Sequence, residues 1–203
     1  EPRACQLVGR LVPREIDRDS LDDLFSLSYP CPPRTMFVGV RELRPGHLLT
    51  ATPGREVPAP RRWWRVRFPA IGEHRKVSFR DAAHELRELL VRKTYEHLRA
   101  DVPVATYLSG GIDSSMISAL VREVTGDPPT TFSIGFDDPR YDEMGYAAIA
   151  ARHFDAAHYT RTVTAREALA ALPELVEAYD EPFGNNSAIG TLLCARLARE
   201  CGI

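Results

Sequence analysis

From residue 102 onward the chain alternates short apolar runs with helix-patterned segments, and this alternation restricts its fold more than any other feature. Residues 102–108 form an apolar run followed by a loop of small residues, then a segment with Met116, Ile117, Leu120, Val121 and Val124 on one helical side. The order repeats: Thr130–Phe136 reads as a strand, residues 141–154 as a helix, 158–163 as a strand, and Thr164 opens a further helix. Thr164 and Glu167 have the spacing of a capping box, and Pro173 is better placed as the first residue of a following helix than as an interior break. Elements in this order predict an α/β fold, a doubly wound parallel sheet with helices on both faces. Right-handed crossovers then put every strand-to-helix loop on one edge of the sheet.

Upstream, Ser78 and Asp81 resemble a capping box, and Phe79, Ala82, Ala83, Leu86, Leu89, Leu90 and Leu98 recur at helical spacing, so a long amphipathic helix is expected to about residue 100. Residues 1–70 differ in character. Pro30, Pro32, Pro33, Pro45, Pro53, Pro58, Pro60 and Pro69 interrupt every candidate helix except a short one around residues 19–27, leaving turns and short strands. The composition therefore separates residues 1–70 from 71–203 as two parts. Trp63, Trp64 and Phe68 among Arg61, Arg62, Arg65 and Arg67 have the ingredients of a nucleic-acid surface, but the neighbouring prolines fit an arginine-flanked aromatic anchor at a domain junction better.

The 26 basic and 28 acidic side chains give a net charge of -2, so no global field gathers nucleic acid or an anionic membrane. No run approaches the ~20 apolar residues of a spanning helix, and Glu1-Pro2-Arg3 lacks the order of a secretory signal. A soluble, cytoplasmic protein is expected. Cys5, Cys31, Cys194 and Cys201 are scattered without metal-ligand spacing, which makes reduced thiols the default.

The chemistry concentrates between the first strand and its helix, in Leu108-Ser109-Gly110-Gly111-Ile112-Asp113-Ser114-Ser115. Two glycines let the backbone turn tightly and present its N–H groups, and the serines add hydroxyls beside a helix N-terminus worth roughly half a positive charge. An anionic phosphate chain is the guest that such a loop suits. It lacks both the Gly-Lys-Ser/Thr ending of a γ-phosphate loop and the spacing of a dinucleotide fingerprint. A plain serine-capped helix after a glycine turn is the competing reading.

Ser-Gly-Gly-x-Asp-Ser after a strand resembles the pyrophosphate-binding loop of the N-type ATP pyrophosphatases, whose fold is Rossmann-like, of the adenine nucleotide α-hydrolase type. Asp101-Val102-Pro103-Val104, Thr131-Phe132-Ser133-Ile134-Gly135-Phe136, Tyr141-Asp142-Glu143-Met144-Gly145-Tyr146 and Asp180-Glu181-Pro182-Phe183 narrow the resemblance to glutamine-hydrolysing asparagine synthetases. The segment from Pro32 through Val40 and Leu43-Arg44-Pro45-Gly46-His47 resemble the end of that family's N-terminal-nucleophile glutaminase domain. The resemblance thus implies an interior segment, the tail of one domain followed by the front of an ATP-binding domain. The family's nucleophile is an N-terminal cysteine; Cys201-Gly202-Ile203 spells the usual tripeptide at the other terminus, a coincidence.

The resemblance also implies ATP and Mg2+ as cofactors, with aspartate and glutamine or ammonia as further substrates. It implies no nucleic-acid or membrane partner, and it is compatible with a homodimer. By the same transfer, Ser109, Gly110, Gly111, Ser114 and Ser115 hold pyrophosphate, Asp113 helps place the metal, and Leu108 and Ile134 contact the nucleotide. Asp180 and Glu181, with Asp113, are the catalytic candidates, the first two on a loop after a helix and before Pro182, while Asp142 and Glu143 suit a helix start as well as a site. His158 reads as a core histidine on a strand. A relative acting on a specialised carboxylate, a non-catalytic nucleotide-binding remnant and a tRNA- or nucleotide-modifying pyrophosphatase are the other readings, in that order.

Overall fold

The computed structural model describes residues 12–140, 142–179 and 181–203. The chain divides into two units, one comprising the residues up to Arg75 with Val176–Asn185, the other Lys76–Leu175 with Asn186–Ile203. Cys5, Tyr141 and Asp180 lie outside the described residues.

In the first unit, helix α1 (Arg18–Leu27) starts where the Asp17 carboxylate accepts from the Ser20 N–H at 2.9 Å and stops where Ser28 turns left-handed at φ 70°. Asp23, on α1, accepts from the Cys31 N–H at 3.1 Å and pairs with Arg34, whose hydrogen bond holds the Asp23 carboxyl below the usual carboxylate range. Among the described residues of this proline-rich unit the strands are β1 (His47–Leu48) and β2 (Arg61–Arg62), an antiparallel pair. Trp63 and Trp64 attach to this pair through their N–H groups, which donate to the Gly46 carbonyl at 2.9 and 3.2 Å. Trp63 and Trp64 are 67% and 53% exposed, and the Trp64 ring lies beside Gly46.

The second unit opens with α2 (Phe79–His97), where Ser78 Oγ accepts from the Asp81 N–H at 3.1 Å. There follow β3 (Thr106–Tyr107), α3 (Ile112–Thr125), β4 (Thr130–Phe136), α4 (Met144–His153), β5 (Ala157–Val163), α5 (Ala165–Ala170), α6 (Leu172–Ala178) and α7 (Ser187–Glu200). The last residues of α6 belong to the first unit. β3 is shorter than the apolar run suggests, because Pro103 has no N–H to donate and Val102 and Val104 remain exposed. Likewise α4 begins at Met144, after the Asp142 carboxylate has accepted the Met144 N–H at 3.3 Å. Thr164 and Glu167 form the full capping box of α5. Pro173, which cannot donate to a preceding carbonyl, sits in the first turn of α6 just after α5 ends.

The sheet is parallel with the order β3-β4-β5. Thr106 faces Thr131, and β5 runs beside the whole of β4 from Thr130↔Ala157 to Phe136↔Val163. Side chains alternate between the faces, and each face has its own helices. On one, Thr106 Oγ1 meets Ser118 Oγ of α3 at 2.9 Å, and Leu108 packs with Ala147 and Ala151 of α4. On the other, Phe132 packs with Cys194 and Ala198 of α7, and Val163 with Leu193 and Ala171. Helices therefore cover both faces, as a Rossmann-like domain requires. Phe132 and Leu108, each 1% exposed, anchor the two sides, and burial of a side chain of this size is worth about 1.5–3 kcal/mol.

His158, on β5, is half-buried. Its Nδ1 meets Thr131 Oγ1 at 2.8 Å, Nε2 is buried without a hydrogen-bond partner, and burial lowers its pKa below 6.5. A proton taken up at Nε2 would meet no acceptor, whereas the unfolded chain accepts it freely. The fold thus binds fewer protons than the unfolded chain below pH 6.5, and stability contributed by this group falls as the pH drops through that value. Thermal unfolding between pH 7.5 and 5 should show a steeper loss of Tm for the natural protein than for His158→Asn, which keeps a partner for Thr131 without a titrating ring. Parallel curves would contradict this assignment.

Candidate functional site

The loop between β3 and α3 is built from its glycines outward. Gly110 has φ +81°, a conformation that side chains rarely adopt, and a Cβ placed there would come within 2.4 Å of the Ala147 N and 2.5 Å of the Tyr146 backbone. The loop is therefore pressed directly onto the start of α4. Gly111 is the N-cap of α3, and no side chain caps the helix; the first helical bond runs from the Ser115 N–H to the Gly111 carbonyl at 3.0 Å. The N–H groups of Ile112, Asp113 and Ser114 are the donors that a helix start leaves over.

The serines are arranged around this turn rather than across the helix end. Ser114 Oγ accepts from the Ser109 N–H at 3.2 Å and can donate to the Gly111 carbonyl at 3.2 Å; Ser109 Oγ lies 3.0 Å from Ser114 Oγ and accepts from the Gly111 N–H at 3.3 Å. Lower down, Ser118 ties the helix to β3 through Ser114 O and Thr106 Oγ1. The competing reading of a serine-capped helix does not describe this geometry, since the serine hydroxyls bond the loop and leave the helix N-terminus open. Asp113 is exposed in the first turn of α3, and Ser115 is half-buried beside it.

A cleft of about 560 Å³ adjoins the loop on the α7 side of the sheet. Tyr107, Phe132, Ile134 and Phe136 form one wall, Gly190, Thr191 and Cys194 the other, with Ser109 at the loop end and Asp137 and Asp138 at the tip of β4. Burial pushes the Cys194 thiol up to about 11 and also raises Tyr107, so both are neutral near pH 7 and act as lining. Asp138 is held below the usual carboxylate range by its hydrogen bonds to Arg140. The cleft has the volume and apolar walls that suit a small flat ligand with a polar end.

The structure brings Leu108, Ser109, Gly110, Gly111, Asp113, Ser114, Ser115 and Ile134 together in the second unit. Leu108 is buried, with its N–H donated to the Phe132 carbonyl at 2.9 Å and its carbonyl accepting from Ser133 Oγ, so what it presents to a ligand is its place in the cleft wall. Glu181 belongs to the first unit, where its carboxylate accepts from the Met36 N–H at 2.6 Å. Glu143 is the N-cap of α4 without a side-chain bond. The reading of the sequence missed α7 and with it half of the cleft. The signal was present in Ala188, Ile189, Leu192, Leu193 and Leu197, apolar at helical spacing after Asn185-Asn186.

Open amides for an anion at one end and an apolar slot at the other are the division of labour of a nucleotide-binding α/β domain. Comparison with known proteins narrows that class. The sequence matches the asparagine synthase family over residues 85–203, and the chain belongs to that family. It is 33% identical over 190 residues to a Mycobacterium bovis protein assigned as a glutamine-hydrolyzing asparagine synthetase, covering 92% of this chain and 28% of the relative. To asparagine synthetase (glutamine-hydrolyzing) 1 of Bacillus subtilis it is 28% identical over 187 residues, covering 92% and 28%. A counterpart assigned in Methanocaldococcus jannaschii is 29% identical over 205 residues, covering 97% of this chain and 39% of its own length. The chain thus spans between about a quarter and two fifths of these relatives.

The pressure of α4 on the loop can be measured with the two glycines that flank α3, Gly110 before it and Gly126 after it. Gly110 and Gly126 are both left-handed, but a Cβ at Gly126 meets nothing within 4 Å. Gly126→Ala should cost about 1–2 kcal/mol from backbone strain alone, and Gly110→Ala clearly more, as read by urea denaturation. Equal losses would mean that the contact with Tyr146 and Ala147 does not shape the loop.

Proposed function

We propose that this chain carries the ATP-binding part of an asparagine synthetase-type amide ligase. In this reading the side-chain carboxylate of aspartate is adenylated and then amidated with ammonia derived from glutamine. Membership of the asparagine synthase family supports an ATP-dependent amide ligase, and the open N-terminus of α3 is the observation that carries the assignment to this loop.

The chemistry requires activation because a carboxylate has no adequate leaving group for attack by ammonia. A carboxylate oxygen attacks the α-phosphorus of ATP, the bond from that phosphorus to the bridging oxygen breaks, and pyrophosphate leaves with the electron pair. Ammonia then adds to the acyl carbon, gives up a proton, and AMP departs with the oxygen that had attacked the phosphorus, while the other oxygen remains as the amide carbonyl. The loop's part is to hold the pyrophosphate as negative charge builds on it: the N–H groups of Ile112, Asp113 and Ser114 and the α3 dipole point to one place, and the hydroxyls of Ser109 and Ser114 can turn to it. Gly110 and Gly111 keep that place free of side chains, and Ser115 supports it from the first turn.

Mg2+ fits the site as a shared ion. Among the described residues no group of three or more His, Cys, Asp or Glu side chains could hold a metal alone, while Asp113 offers one exposed carboxylate next to the phosphate place. One carboxylate with phosphate oxygens and water is how Mg2+ is commonly bound, and there it would neutralise the departing charge. The cleft, with Ile134 in its wall and Leu108 at its floor, would take the adenine. Asp180 and Glu181 are assigned to the substrate side by resemblance, and the first unit is read as the end of a glutaminase domain.

The test is the product set. With ATP, Mg2+, aspartate and ammonia, the protein extended through its remaining domains should release AMP and pyrophosphate in step with asparagine. Asp113→Ala and Ser114→Ala should each slow this by about 10²–10³-fold, the usual effect of removing a group that stabilises a transition-state anion. ADP and phosphate as products would contradict the reading. Activity with another carboxylate and silence with aspartate would keep the adenylation and replace the substrate.

A further inference from the structure

We infer that Asp137 is the residue that selects a ribonucleotide in this cleft, its carboxylate accepting hydrogen bonds from the ribose hydroxyls. The inference rests on the nucleotide reading above and adds to it a specificity-determining side chain outside the loop.

Position singles out Asp137. The phosphate place lies at the α3 N-terminus, which belongs to one face of the sheet, and the apolar cleft lies on the α7 face. A nucleotide that uses both must cross the carboxyl ends of the strands, and the part that crosses is the sugar. Asp137 stands there, one residue beyond the end of β4, and its N–H donates to the Val163 carbonyl at 3.2 Å, which fixes the backbone beside the neighbouring strand. It lines the same cleft as Ser109 at the loop end and Thr191 on α7. In open α/β sheets an acidic residue beyond the loop strand is a general solution for ribose hydroxyls, because an ionised carboxylate only accepts and a hydroxyl must donate.

The chemistry separates Asp137 from its neighbour. Asp138 also lines the cleft, but both of its oxygens are engaged by Arg140, at 2.6, 3.0 and 3.1 Å. The Asp137 carboxylate is exposed and makes no side-chain hydrogen bond or ion pair among the described residues. A free anion at this point repels phosphate and attracts donors, so it favours the orientation with phosphates over α3 and the base in the slot.

Equilibrium binding of ATP and of 2′,3′-dideoxyATP, by calorimetry with and without Mg2+, tests the assignment on the protein and on Asp137→Ala, Asp137→Asn and Ser114→Ala. The natural protein should bind ATP about 10- to 100-fold more tightly than the dideoxy analogue, the range of a charge-assisted hydrogen bond. Asp137→Ala should bring ATP down to the level of the analogue and leave the analogue unchanged. Asp137→Asn, which still accepts, should retain part of the preference. Equal weakening of both nucleotides by Asp137→Ala, as a metal ligand would give, overturns the inference. So does the absence of any preference in the natural protein. If Ser114→Ala weakens both nucleotides while Asp137→Ala changes neither, the ribose contact fails and the nucleotide reading stands. Failure of the natural protein to bind either nucleotide overturns both.

Discussion

The second unit is organised around a helix that begins without a cap. Leaving the N–H groups of Ile112, Asp113 and Ser114 without a side-chain acceptor forgoes only roughly a few tenths of a kcal/mol, the margin by which glycine falls short of a serine or aspartate at an N-cap. The sequence has serines within reach, yet Ser109 and Ser114 spend their bonds on each other and on the loop backbone. Gly111 occupies the cap position, and Gly110 allows the chain to turn so sharply that the loop backbone touches the first turn of α4. Under the proposed function this open helix end is the anion site, and the parallel sheet and its flanking helices hold it in place.

The sheet gives the site its second half. β3, β4 and β5 add in sequence with α3 and α4 on one face, as right-handed crossovers in a single direction require, and α7 then crosses to the other face. Among the described residues β3 pairs with β4 alone, and the loop after β3 and the tip of β4 open on the same cleft. Phe132 serves both purposes: it is the buried contact that docks α7 on β4, and its surroundings become the wall of the cleft.

Much of this was legible from residue types and spacing, and for definite reasons. β4 and the capping boxes could be read because apolar alternation and Ser or Thr three residues before Asp or Glu are local signals with local causes. The tight turn between β3 and α3 was legible because two adjacent glycines after an apolar run mark one. The ends of β3 and α4 were not, since they depend on where pairing begins and on the Asp142 carboxylate. Helix α7 was overlooked although its apolar spacing was present, and the cleft could not be seen without it. The role proposed for Asp137 is a further case: nothing in Phe136-Asp137-Asp138 separates the two carboxylates until Arg140 is seen to occupy one of them.

The central claim, that the backbone amides of this loop form the anion site, is most directly tested by amide NMR during titration with inorganic pyrophosphate. The account requires saturable shifts of the N–H signals of Ile112, Asp113 and Ser114, with smaller changes at Ser109 and Gly111 and none at the uncapped start of α7. Shifts spread over the arginines of β2 and its neighbours, with residues 109–115 unmoved, would contradict it.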